Sequence, residues 1–208
     1  MKDRELTKRK LILAVGEIIN KNGFSSLSIS RIAKVAQVDR KLIYRYFGNL
    51  NYLIEAYVVE NDYWMVFADQ MKKMIGDEQF ADSGKLIIAI LQNQFKFFES
   101  QKEMQRLILW ELSMNSPLMR SIHNTRESMG QQFLELTDLH FEGGNVNFRA
   151  VAALLVGGIY YTILHTIYNG ENFTGMNITT KEGKEEILKA IAQIVSWAFN
   201  AAELKKMS

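Results

Sequence analysis

Between Val35 and Phe47 the chain reads VAQVDRKLIYRYF, with three cations and two tyrosines set among apolar residues. On a helical wheel with Ile43 and Phe47 turned inward, Lys41, Tyr44 and Arg45 face outward, flanked by Arg40 and Leu42. These groups suit nucleic acid. Arginine and lysine pair with guanine O6/N7 or with phosphate, and leucine can touch a thymine methyl. Tyrosine hydroxyls donate to phosphate oxygens, which positions a protein without reading sequence. Spacing alone leaves a second reading open, the solvated basic face of an ordinary short helix. Other chemistry has no candidates: the three histidines are scattered, cysteine is absent, and there is neither an HExxH pair nor a Gly-rich phosphate loop. No catalytic residue, metal site or cofactor is expected, and the chain is not read as an enzyme.

The basic stretch belongs to a basic region. Residues 1–46 hold 11 Lys/Arg against 4 Asp/Glu, a balance of +7, and the remaining 162 residues hold 14 against 19, a balance of −5. That asymmetry is expected when one module meets a polyanion. The lack of cysteine fits a reducing cytoplasm. The opening MKDRELTKRK leads into an amphipathic pattern and contains no apolar core of a signal peptide. The most apolar run, Ala150 to Leu164, falls short of the ~20 residues of a membrane span. It is read as a buried core helix, with no membrane partner.

One proline and apolar residues at helical spacing predict an all-α chain of about nine helices. Leu11, Ile12, Val15, Ile18 and Ile19 form the stripe of a first helix that stops at Asn22-Gly23, and Phe24 returns to the core. Ser28 or Ser30 caps a short second helix, and Asp39 caps a third from Arg40 to Tyr46. Asn49 caps a long fourth helix from Leu50 to about Ile75. Further helices are expected over about 83–101, 103–114, from Pro117, over 146–168 and over 181–206, with a polar loop NGENFTGMNITT before the last. Helix, short helix, four-residue turn and short helix is the layout of a helix-turn-helix. In that motif the second of the two short helices enters the major groove of double-stranded DNA.

The stretch TKRKLILAVGEIINKNGFSSLSISRIAKVAQVDRKLIYRYFGNLNYLIEAYV resembles the N-terminal domain of the tetracycline-repressor (TetR) family of bacterial regulators. The resemblance is carried by A-x-x-x-I-x-x-x-G-F at Ala14 to Phe24, Ile32-Ala33, Ala36-x-Val38 and Ile43-Tyr44-x-Tyr46-Phe47. It implies a three-helix DNA-binding domain over residues 1–48 and a larger helical domain for effector binding and dimerisation over 49–208. Arg40, Lys41 and Leu42 fall at base-reading positions, Tyr44 and Tyr46 at backbone-contacting ones. Ser28 and Ser30 fall where the second helix meets phosphate. Arg45 faces the same side, and Lys8 and Arg9, placed before the first helix, are either DNA contacts or solvated tail charges. Three residues depart from the family pattern. Gln37 stands where glycine is usual in the turn, a place for positive φ. Leu50 stands where a phosphate-contacting lysine is usual, which leaves the amides at the start of the fourth helix to face phosphate. Asp39 stands where Ser or Thr is commoner, and its charge on the DNA side weakens phosphate binding.

For the body, the resemblance implies that the last two helices pair with their twins in a homodimer. Both are rich in small and apolar residues around most of their circumference, as burial of more than one face requires. It also implies a cavity for a small apolar or amphipathic effector. The candidates are Trp64, Phe67, Met71, Phe98, Trp110, Met114, His123, Tyr161 and His165, although most methionines and aromatics at helical spacing are simply core. The expected function is a ligand-responsive DNA-binding regulator, most of all a repressor released from a palindromic operator by its effector. The rival reading is a helical ligand-binding or structural protein of the same fold with weakened DNA binding.

Overall fold

The computed structural model describes residues 2–61, 82–113 and 117–206. Among them are nine α-helices: α1 (Lys2–Asn22), α2 (Ile29–Ala36), α3 (Lys41–Phe47), α4 (Leu50–Asn61), α5 (Ser83–Ser100), α6 (Lys102–Ser113), α7 (Pro117–Phe141), α8 (Phe148–Tyr168) and α9 (Lys181–Lys206). Ser28 and Asn49 cap as expected; α3 starts one residue later than expected, with Arg40 at its N-cap making no side-chain cap bond, and Asp39 instead accepts from the first helical amide. Ser28 Oγ accepts from Arg31 N at 3.3 Å, Asp39 Oδ1 from Lys41 N at 2.8 Å and Asn49 Oδ1 from Tyr52 N at 3.0 Å. The expected extension of α4 to Ile75 lies outside the described residues beyond Asn61.

Packing divides the chain into two compact units, Met1–Val66 with Gln101–Arg126, and Phe67–Ser100 with Glu127–Ser208. In the first, α1 is the hub on which α2, α4, α6 and a short 3-10 turn at Phe24–Ser26 all pack, and α3 packs on α4. Leu11, Val15 and Ile19 of α1, Ile32 of α2, Ile43 of α3, and Leu53 and Val58 of α4 are fully buried. Each such side chain contributes about 1.5–3 kcal/mol through burial. In the second unit α5 packs on α8 and α9, and α8 on α9.

Two expectations are revised. The apolar run read as a buried core helix belongs to α8, which is 21 residues long and apolar enough by length and composition to cross a membrane. It is buried on one side only: Ala152, Ile159, Ile163 and Leu164 face α5 and α9, while Leu154, Tyr161 and Tyr168 are exposed, Leu154 at 79%. Among the described residues nothing covers those exposed side chains. The polar loop before α9 contains a two-stranded hairpin, Asn172–Phe173 (β1) paired antiparallel with Met176–Asn177 (β2). Its two turn residues, Thr174 and Gly175, have φ of 54° and 81°, as a tight primed turn requires. Two-residue strands carry too little alternation to be visible in a sequence.

The turn between α2 and α3 adopts the conformation its usual glycine would favour. Gln37 lies in the left-handed region at φ 56°, ψ 45°, its N–H returning to the end of α2. A side chain there costs about 1–2 kcal/mol, part of which glycine's greater freedom in the unfolded chain would cancel. Gln37→Gly is therefore expected to raise stability by about 0.5–1 kcal/mol, read as an upward shift of the urea midpoint. Among the described glycines, Gly183 is the most closely packed. Its N–H caps onto Thr180 Oγ1 at 3.1 Å, and a Cβ on it would lie 1.9 Å from the Asn177 carbonyl oxygen. Gly183→Ala must push the hairpin away from α9 and is expected to lower stability by about 1–3 kcal/mol in the same assay.

Candidate nucleic-acid interface

A seven-residue helix is too short to be stable in water by itself. α3 is held by three things: Ile43, which is fully buried; the Asp39 carboxylate on its first turn; and its packing on α4. With Ile43 inward, Arg40, Lys41, Tyr44 and Arg45 are exposed, and Leu42 and Tyr46 are half-buried. Tyr44 is 54% exposed, a large aromatic ring left in water. Among the described residues Arg40, Lys41 and Arg45 form no ion pair. Several cations elsewhere are matched: Lys21 with Glu17 at 2.6 Å, Arg149 with Asp138 at 2.8 Å, Lys184 with Glu99 at 2.9 Å. The outward face of α3 is thus a concentrated, unneutralised positive surface beside a phenol, a combination suited to phosphate and base edges.

Around that face the remaining candidates divide. Ser30 is exposed within α2, while the hydroxyl of Ser28 is occupied with its own helix. Gln37 is exposed at the turn, and Asp39 directs its charge onto the amide of Lys41, so part of its negative potential is spent locally. Lys8 and Arg9 are not a tail, because α1 begins at Lys2 and includes both. Lys8 pairs with Glu5 at 3.4 Å and Arg9 with Glu60 of α4. One residue on this side carried no sequence signal beyond its charge. Arg4 sits 5.6 Å from the ring centroid of Tyr46, a cation–π contact that adds a further cation to the end of α3.

Behind the α3 face, α6 is joined to the helices that carry it. Arg106 donates to the carbonyls of Ile19 and Asn20, capping the end of α1. Trp110 stacks on Phe24, ring centroids 4.6 Å apart and nearly parallel. Glu103 accepts from Tyr57 Oη of α4 at 2.8 Å and from Asn20 Nδ2 of α1 at 2.7 Å. Burial, and then this carboxylate, push the Tyr57 phenol far above its ordinary range, so it stays a hydrogen-bond donor.

The described effector candidates fall in both units. Trp110 and His123 belong to the first unit, where His123 is half exposed with Nδ1 3.8 Å from Glu111. Phe98, Tyr161 and His165 belong to the second. Phe98 is buried edge-on against Tyr160 at 4.7 Å. Tyr161 and His165 come together, 5.9 Å apart, with Phe173 of the hairpin against both, and His165 Nδ1 is buried without a partner among the described residues. Trp64, Phe67, Met71 and Met114 lie outside the described residues. Among the described residues no group of His, Cys, Asp and Glu side chains could hold a metal ion.

Residues 11–57 match the family model for bacterial regulatory proteins of the tetR family. The chain is 28% identical over 126 residues to the HTH-type transcriptional regulator BetI of Proteus mirabilis, a match that spans 60% of this chain and 62% of BetI. Its fold is similar to that of the transcriptional regulator FadR from Bacillus subtilis in complex with stearoyl-CoA, with a TM-score of 0.68 at 19% identity, covering 90% of this chain and 96% of FadR. It is also similar to that of NalD, the secondary repressor of the MexAB-OprM multidrug efflux pump in Pseudomonas aeruginosa, with a TM-score of 0.63 at 17% identity, covering 91% and 96%. Residues 11–57 are thus similar in sequence to the tetR family of bacterial regulatory proteins, and the fold is similar to that of solved transcriptional regulators.

Proposed function

We propose that the protein is a homodimeric, one-component transcriptional repressor of the cytoplasm that binds a palindromic DNA operator and is released from it by a small apolar or amphipathic effector. The observation that carries this is the outward face of α3, where Arg40, Lys41 and Arg45 stand unpaired beside exposed Tyr44 on a helix seated by Ile43. In this reading α3 enters the major groove. Arg40, Lys41 and Leu42 meet base edges, while Tyr44, Arg45 and Tyr46 with Arg4 meet phosphates. Ser30 and the start of α2 approach the flanking backbone, with Gln37 and Asp39 in the turn between.

Dimerisation explains the uncovered side of α8. Leu154, Gly157, Gly158, Tyr161, His165 and Tyr168 recur at three- and four-residue steps, as do Ala190, Ile194, Trp197 and Ala201 on α9. Of these Leu154, Tyr161, Tyr168, Ile194 and Trp197 are exposed, Trp197 at 63%. Two such helices from each of two chains form a four-helix seam in which small residues allow close approach. A two-fold axis there presents two copies of α3 to two half-sites. The effector acts through its preference for the released state, since a ligand shifts an equilibrium only by its differential affinity. Comparable folds hold stearoyl-CoA in FadR, which supports an effector with a substantial apolar part.

Anisotropy titration against DNA flanking the protein's own gene tests the DNA-binding part. Specific binding that weakens steeply with salt is expected. Tyr44→Ala should lower affinity for all sequences alike, whereas Arg40→Ala and Lys41→Ala should relax preference at particular base pairs by about 1–3 kcal/mol each. Uniform losses for both cationic variants would refute the base-reading assignment. Sedimentation tests the dimer: Leu154→Glu and Trp197→Glu should each give monomers and abolish operator binding while the helical circular dichroism signal persists. A dimer unaffected by both substitutions would place the interface elsewhere.

A further inference from the structure

The buried face of α5 (Leu86, Ile87, Ile90, Leu91, Phe95 and Phe98) is apolar except at Gln94, which is 1% exposed. Its Nε2 donates to Tyr160 Oη of α8 at 2.9 Å, and its Oε1 is enclosed with no partner. Turning the amide over exchanges the two ends without changing the count: the single Tyr160 hydroxyl serves one end and leaves the other unmet. A buried amide in that state destabilises the fold, and an apolar side chain of the same length would not. The position therefore carries a cost that a hydrogen-bonding partner would offset.

The surroundings define that partner. No charged residue occupies the buried face of α5: Lys85 and Lys96 are exposed, and Glu99 pairs with Lys184. Along α8 there is no carboxylate, ammonium or guanidinium between Arg149 and His165. A charged group would meet no counter-charge on the buried face of α5 or along α8 between Arg149 and His165, and would be expensive to bury there. A hydroxyl both donates and accepts, so it satisfies Gln94 whichever way the amide is turned. Phe98, edge-on to Tyr160 at 4.7 Å, supplies an aromatic wall beside the polar pair.

We propose that Gln94 and Tyr160 form the polar anchor of a ligand site inside the second unit, and that its ligand is an uncharged apolar molecule carrying a hydroxyl group. This deepens the ligand-responsive reading above and rests on it.

The test uses the full chain with three probes of equal tail length: 1-decanol, decanoate and decylamine. Decanol is expected to raise the thermal midpoint in a concentration-dependent way, as any ligand of the native state does. The two ions are expected not to do so. Gln94→Met keeps the length without the polar group. It should raise the midpoint of the ligand-free protein and weaken decanol binding by about three- to tenfold in calorimetric titration. Should Gln94→Met misfold, Gln94→Leu is expected to show the same pair of changes, and Tyr160→Phe should also weaken decanol binding. Any of four results overturns the proposal: no decanol shift, equal shifts from all three probes, unchanged decanol affinity in the Gln94 variants, or a lowered midpoint in them without ligand. The last would show that an ordered water already meets the amide. Anisotropy with the DNA flanking the protein's own gene on the same samples separates the two readings. Failure of the ligand arm with specific DNA binding intact sinks only this inference, whereas loss of specific DNA binding in the wild-type protein sinks the regulator itself.

Discussion

The first unit depends on one apolar stripe. Leu11, Val15 and Ile19 on α1 are sealed from water, and α2, α4, α6 and the 3-10 turn at Phe24–Ser26 are all fastened to the helix that carries them. α3, too short to persist alone, is placed at one remove, through Ile43 and its packing on α4. The orientation of the basic face is thus set by apolar residues that never meet DNA. The cations supply what the face can bind, and the stripe behind them decides where it points.

The same region shows how local departures from the family pattern are absorbed. Gln37 accepts a left-handed backbone so that α3 can follow α2 at the required angle, and the surrounding packing holds it there. Asp39 would repel phosphate if its charge were free, but the carboxylate is engaged with the Lys41 amide at the positive end of α3. Arg4 and Arg9 lie on one helix and do different things, the first over Tyr46 and the second paired to Glu60.

In the second unit the balance is reversed. α8 carries more apolar surface than the described residues cover, and the excess lies in one stripe rather than scattered over the surface. A contiguous apolar surface of that kind marks a place for another surface to cover. Deeper in the same unit, Gln94 presents the opposite case, a polar group enclosed among apolar ones. Both are places where packing of the single chain is incomplete, and the two functional proposals for this unit rest on them.

Much was legible in the sequence because it depends on neighbours within a few residues. Helical periodicity, the caps Ser28 and Asn49, the stop at Asn22-Gly23 and the outward set Lys41, Tyr44 and Arg45 with Arg40 on its flank are local facts, and the structure reproduces them. The resemblance to the tetR family was legible for the same reason, since its signature lies within about fifty consecutive residues. What the sequence could not decide were contacts between residues distant along the chain. That Arg4 reaches Tyr46, that Trp110 stacks on Phe24, and that Gln94 finds one partner for two amide ends depend on how helices lie against each other. The same holds for α8, whose composition is that of a buried helix. Whether an apolar face is covered is a property of its neighbours, and only the tertiary structure shows that one side of α8 has none among the described residues.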